Sequence, residues 1–212
     1  MAVSCPEQAA KASHIGMSVA MRHKDRAVLK SIVPLFSAAL LLSAAPAHAA
    51  FMSAYTDLDL NECMVLDADD FFSSWACPGY KGYPLMVQES DLRFSTSYGF
   101  NLAAEPKKFQ TVPPVNYLGP KIEWRLSNAL ARWLPVATIV RYVLADGDAG
   151  APGTHEVLSV TQLVPGNICH IAYVDVLANP DAIELARQAA DASGKFDCAK
   201  DKPKILGKMT AW

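Results

Sequence analysis

Two cysteines and three aspartates crowd into CMVLDADDFFSSWAC, residues 63–77. Residues of these types hold metals, carry out redox chemistry or form disulfides. Asp67, Asp69 and Asp70 resemble the opening of a calcium loop, which needs D-x-[DN]-x-[DN]-G and a glutamate at its twelfth position. Counting from Asp67, Phe71 stands fifth, Phe72 replaces the turn glycine and Pro78 replaces the glutamate. A zinc site fares worse, because there is no CxxC and only His155 and His170 occur beyond residue 49. The missing CxxC also argues against a thioredoxin-like pair. A disulfide fits. Closing a loop of this size removes unfolded-state freedom equivalent to ~3 kcal/mol, and Phe71, Phe72 and Trp75 are expected to pack beneath the closed loop.

Other chemistry is thinly represented. Gly79-Tyr80-Lys81-Gly82 lacks the G-x-x-x-x-G-K-[ST] of a phosphate loop and the flanking helices of a KH loop. It reads as a tight turn entering a strand. Neither G-x-S-x-G nor H-E-x-x-H is present. A Ser-His-Asp triad would have to use His155 or His170, and nothing beside either one recommends it. No catalytic residue, metal ligand or cofactor is assigned.

The first 49 residues differ from the rest. Met21-Arg22-His23-Lys24-Asp25-Arg26 is basic, residues 32–42 are apolar, and Ala47-His48-Ala49 is small-sided. That order is the grammar of a secretory signal peptide. The apolar run carries Pro34 and is shorter than the ~20 residues a bilayer crossing needs, so no retained anchor is expected. The reading is a leader over 1–49 that is cleaved after Ala49, with translation starting at Met21 or at Met17, followed by one mature domain over 50–212. The product would be exported, to the periplasm or beyond.

Five of the 19 basic and two of the 21 acidic residues fall in the leader, so the remainder carries a net charge of −5. A mildly acidic surface gives no support to nucleic-acid binding. Cys63, Cys77, Cys169 and Cys198 remain in the mature part. An even number in an exported chain reads as disulfides. Of three pairings, the local ones, Cys63–Cys77 and Cys169–Cys198, are favoured.

These residues need elements to position them. Leu92, Phe94, Thr96 and Tyr98 alternate with Arg93, Ser95 and Ser97. Ile122, Trp124 and Leu126 alternate with Lys121, Glu123, Arg125 and Ser127. Both patterns predict half-buried antiparallel strands. Further strands are expected at 54–60, 83–88, 135–144 (central), 156–164 and 168–176. Polar turns make hairpins of 83–98 and 156–176. Residues 146–154 read as a surface loop and 100–120 as a long connection. One helix is expected at 180–193, with Asn179 as its cap, Pro180 at its first position and Gly194 closing it in a left-handed turn. Its stripe would be Ala182, Ile183, Ala186, Ala189 and Ala190. The fold class is α+β, mainly β: a single antiparallel sheet or partly closed barrel of five to seven strands with one C-terminal helix.

On that architecture the polar strand faces stand out. Arg93, Arg125 and Arg141, with Tyr80, Tyr83 and Tyr98, make a candidate binding surface, because arginine and tyrosine supply the amphipathic area that recognition uses. The expected function is a non-catalytic envelope protein that binds a protein or small molecule. The alternative is a periplasmic hydrolase with an unrecognised site.

CPGYKGYPLMVQESDLRFSTSYG, KIEWRL, VATIVRYV and the late FDCAKD, together with the leader, resemble small, exported, uncharacterised bacterial proteins of periplasmic type. That resemblance implies export and no particular activity. In size and architecture alone the chain is similar to envelope lysozyme inhibitors, and no inhibitor residue carries over.

Overall fold

The computed structural model describes residues 49–146 and 151–212. Residues 1–48 of the expected leader, Cys5 among them, lie outside the described residues, as does part of the 146–154 loop.

Among the described residues ten strands, more than the five to seven expected, form two sheets. β1 is Phe51–Asp57, β2 Met64–Ala68, β3 Phe72–Pro78, β4 Pro84–Ser90 and β5 Arg93–Tyr98. β6 is Asn116–Ser127, β7 Leu134–Ala145, β8 Pro152–Gln162, β9 Cys169–Asp175 and β10 Lys204–Ile205. Among the described residues one α-helix, α1, spans Ala182–Asp191. The six-stranded sheet has the order β1-β6-β7-β8-β9-β10, and the four-stranded sheet the order β2-β3-β4-β5.

The mainly β class with one helix is present, and β7 is central as its continuous β-branched run predicts. The single sheet is corrected to two, with neither closed into a barrel, and β10 lies parallel to β9. The break falls where the chain runs from β1 through a 3₁₀ turn at Leu60–Glu62. β1 pairs with distant β6 instead of following into β2. Alternation shows that a strand face is buried without showing what covers it. Here Leu85, Val87 and Tyr98 of the four-stranded sheet pack on Ile122, Trp124, Leu126, Val140 and Tyr142 of the six-stranded one.

Trp124 is the centre of that core. Tyr80, Tyr83 and Tyr98 lie 6.4, 5.7 and 5.8 Å from its ring, and its Nε1 donates to Thr56 Oγ1 at 2.9 Å. Gly79 permits this: a Cβ there would lie 2.8 Å from the Trp124 ring and 2.3 Å from the Tyr83 carbonyl. The tight turn follows at Tyr80–Gly82, with Lys81 and Gly82 at positive φ.

The hairpin β4–β5 turns at Asp91-Leu92, both left-handed as a two-residue hairpin loop requires. The connection beyond β5 is organised by buried Asn116, whose amide donates to the Val112 and Pro114 carbonyls and accepts from Phe94 N.

α1 covers the opposite face of the six-stranded sheet. Ala182, Ala186 and Ala190 are buried against Ala137, Ile139, Val160 and Ala172, so small side chains let the helix lie close. Ile183, expected in the stripe, is instead exposed. Asn179 does not cap the helix through its side chain. Its amide donates to the Asp175 and Lys208 carbonyls and accepts from Lys208 N, so it is committed to the C-terminal segment, and Asp181 occupies the cap position. Pro180 lies in the turn before the helix. Gly194 sits inside a 3₁₀ turn, Ser193–Lys195, without positive φ.

Both disulfides form as favoured, Cys63–Cys77 and Cys169–Cys198. Phe71, however, is 84% exposed at a hairpin tip. The run it belongs to is a β-hairpin, which turns Phe71 outward instead of under a closed loop.

Replacing Trp124 by Ala removes the ring on which three tyrosines pack and orphans the Thr56 contact. Urea unfolding should show a loss of ~3–5 kcal/mol.

Candidate functional site

The six residues of the expected binding surface do not form one surface. Tyr98 is buried against Trp124, and Tyr80 and Tyr83 pack half-buried on the same ring. Burial, then the nearby Glu105 carboxylate, pushes the Tyr83 phenol up to about 12, and burial raises Tyr98 as well. Arg93 stands at the β4–β5 turn, paired with Asp91 at 2.6 Å. Arg141 is half-buried on β7 and paired with Glu156 of β8. Arg125 is buried beneath α1.

That last placement corrects the solvated polar face. Glu123 and Arg125 are 5% and 8% exposed. Arg125 holds Asp191 of α1 with two hydrogen bonds, Nε to Oδ1 at 2.8 Å and Nη2 to Oδ2 at 2.7 Å. Its Nη1 donates to Ser53 Oγ at 2.6 Å. Glu123 accepts from Arg187 Nε at 2.7 Å and from Ser53 Oγ at 2.5 Å. Arg187 also reaches the Tyr55 hydroxyl at 2.9 Å, and its bond to Glu123 raises its pKa further. These charges satisfy one another. A hollow of about 330 Å³ beside them takes in Lys121, Arg141 and Arg187. Each of these cations already has an acid, Asp57, Glu156 and Glu123 respectively, leaving little for a ligand.

The histidines do not share a site. His170 pairs in register with Thr161, six positions along β8 from His155, about 20 Å. The His170 ring is buried, with Nδ1 3.0 Å from the Tyr173 hydroxyl and Nε2 unpartnered. Burial lowers its pKa to about 3, so it is a neutral imidazole. Glu105 lines the same recess, but that recess is about 10 Å³. Both Glu105 carboxylate oxygens are taken, by Gly166 N at 2.9 Å and Ile168 N at 3.0 Å. A buried carboxylate near a histidine is thus present without room for a substrate. Among the described residues no group of three or more His, Cys, Asp and Glu is placed to hold a metal.

A larger concavity than either of these lies elsewhere. A groove of about 490 Å³ runs between α1, β9 and the chain from Ser193 to Leu206. Ile171 and Ala172 floor it, Leu185 and Ala189 form the helix wall, and Phe196 and Leu206 form the other. Lys195, Lys202 and Lys204 line it together with one acid, Asp201. Among the described residues none of the three lysines is in an ion pair, and Asp201 accepts from Asp197 N at 2.9 Å.

The outer wall is pinned at both ends. Cys198 is bonded to Cys169, its N–H donates to Asn167 Oδ1, and Gln162 donates to the Phe196 carbonyl. Further on, Leu206 N donates to the Tyr173 carbonyl, and Asp175 accepts from both Thr210 N and Oγ1 at 2.7 Å. Burial alone would raise the Asp175 carboxyl. Hydrogen bonds from Thr210, Ala178 and Leu177 hold it below the usual range. Sequence reasoning missed this groove, because its lysines follow the last clear periodic element. The only available signal was the Cys169–Cys198 pairing, which brings that segment back to the sheet.

Comparison with protein-family models, with curated proteins and with solved structures finds no match. No helix among the described residues is long and apolar enough to cross a membrane.

Two outcomes are expected. Arg125→Ala leaves Asp191 without its basic partner under the helix and should cost ~3–5 kcal/mol in urea unfolding, while replacing Arg125 and Asp191 together by Met and Leu should restore most of it. His170 binds a proton below about pH 6.5 when unfolded but only near 3 when folded. Its contribution is therefore lost progressively as pH falls from 6.5 towards 3, by up to ~1.4 kcal/mol per pH unit. Unfolding midpoints at pH 7.5, 5.5 and 4.5 should fall less steeply in His170→Gln.

Proposed function

We propose that this chain is an exported, non-catalytic binding protein that holds an anionic amphiphile in the groove between α1, β9 and the C-terminal segment. The observation that carries the reading is the groove itself, about 490 Å³ with an apolar floor and three lysines facing one aspartate. Its volume lies within the ~300–1,000 Å³ of small-ligand sites.

The two halves of such a ligand meet different chemistry. Ile171, Leu185, Ala189 and Phe196 offer no polar atoms to an alkyl body. Lys195, Lys202 and Lys204 offer charge without a competing carboxylate apart from Asp201, which is already engaged at the Asp197 turn. Ser193 is the one hydroxyl in the lining. It donates to the Val136 carbonyl and has no histidine or cysteine beside it in the groove, which favours binding over hydrolysis. Two disulfides favour an oxidising compartment, and the basic–apolar–small order of residues 21–49 favours export as the way there.

Isothermal titration with octanoate, dodecanoate and dodecyltrimethylammonium tests this reading. Dodecanoate should bind more tightly than octanoate by about 0.8 kcal/mol, roughly fourfold, per added methylene that the groove buries. The cationic analogue should bind more weakly. Ala189→Trp should fill the groove and abolish uptake, and Lys195→Gln with Lys202→Gln and Lys204→Gln should erase the preference for the anion. Equal affinity for both head charges, or an Ala189→Trp variant that binds normally, would refute it.

A further inference from the structure

The hairpin β2–β3 has no part in that groove, and its outer strand is a fully exposed edge. All five residues of β2 are exposed, and β2 is an edge of the four-stranded sheet. Met64 is 63% and Val65 58% exposed, and Leu66 is exposed beside them. A sheet edge carries backbone donors and acceptors that a further strand can pair with, and apolar side chains on it favour such pairing.

The hairpin is also held rigid. Cys63–Cys77 closes its base, with the Cα atoms 4.5 Å apart. At its tip Asp69 N donates to the Phe72 carbonyl, and Asp69 Oδ1 accepts from Phe71 N and Phe72 N at 2.7 and 2.8 Å. On the inner side Trp75 of β3 packs on Phe94 with ring centroids 6.3 Å apart. The apolar outer strand is therefore not a frayed end waiting to bury itself. It is fixed in an extended shape before any partner arrives, which lowers the ordering cost of pairing.

We propose that β2 is a docking edge that takes an extended, cationic segment of another polypeptide as an added strand. Charge chooses the occupant. Asp67, Asp69 and Asp70 lie on or beside this edge, and among the described residues none has a basic partner. A second copy would bring the same three aspartates against them, and like charges opposed across strands are destabilising. An anionic lipid surface is repelled for the same reason. A segment alternating basic and apolar residues sets its cations on the face that carries Asp67 and its apolar side chains on the opposite face, which carries Val65. The bulge between Val65 and Asp67 limits regular pairing to a short run, so recognition is by a few residues.

The test uses an eight-residue peptide alternating lysine and valine, the same peptide N-methylated at alternate residues, and a glutamate–valine peptide. Binding to the purified protein is measured by titration, and strand formation by hydrogen exchange over 64–68. The lysine–valine peptide should bind, protect β2 amides and lose affinity at higher salt. N-methylation, which blocks backbone pairing without altering charge, should abolish binding. Asp67→Asn with Asp70→Asn should weaken it roughly tenfold, and the glutamate peptide should not bind. These two aspartates are exposed, so circular dichroism of the variant should match the parent. Equal binding of the N-methylated peptide, or none by the lysine–valine peptide, overturns the proposal. So does self-association of the protein alone that Val65→Lys abolishes, since the occupant would then be a second copy.

Discussion

The fold depends on burying charge on β6. Its Trp124 side is covered by the four-stranded sheet and its Glu123 side by α1. Burying an ion costs several kcal/mol unless a partner and hydrogen bonds meet it. Glu123 and Arg125 are met by Arg187 and Asp191, with Ser53 bridging. The spacings agree. Two positions along a strand span about 6.6 Å, and four along a helix about 6 Å, so the strand pair Glu123/Arg125 faces the helix pair Arg187/Asp191 in step. Sliding the helix by one turn would break both pairs at once and leave buried ions alone. The alanine stripe lets α1 approach closely, and the ion pairs decide where along the sheet it stops.

With α1 fixed, the rest of the C-terminal chain has few choices. The polypeptide leaves the helix through Ser193–Lys195 and is held at once by Cys169–Cys198 and by Gln162 and Asn167. It then returns along β9 to Asp175 and Asn179. Between those two anchors the segment stands off from α1, and the groove is the space left. Its shape follows from a helix held by ion pairs on one side and a strand held by a disulfide on the other.

Period-two alternation found most of the strands, and cysteine parity found both disulfides, because each signal is local. What escaped depended on distant partners. Glu123 and Arg125 look like a solvated strand face, since the sequence of β6 says nothing about Arg187 and Asp191 more than sixty residues on. Asn179 has the type and position of a helix cap, but Lys208 and Asp175 compete for its amide and win. Tyr80, Tyr83 and Tyr98 suit a recognition surface by composition, while Gly79 allows the chain to press against Trp124, so that all three rings pack on it. Phe71 was expected inside for its size alone, and the Asp69 turn points it out. Lys195, Lys202 and Lys204 carry no periodic signature, so nothing in the sequence gathers them until the disulfide and Asp175 bring their segment back.

The two disulfides explain why both candidate recognition features can show apolar residues to solvent. An element normally keeps its place by burying its own apolar side chains. A crosslink that closes a loop of roughly 15 to 30 residues contributes about 3 kcal/mol or slightly more, enough to replace the burial of one or two large side chains. Cys63–Cys77 does this for β2, whose Met64, Val65 and Leu66 are released from packing duty. Cys169–Cys198 does it for the segment that carries Phe196 and Leu206, which then face the groove without the helix closing on them. Covalent anchoring at the base of each element lets its apolar residues stay partly or wholly exposed without the element losing its place.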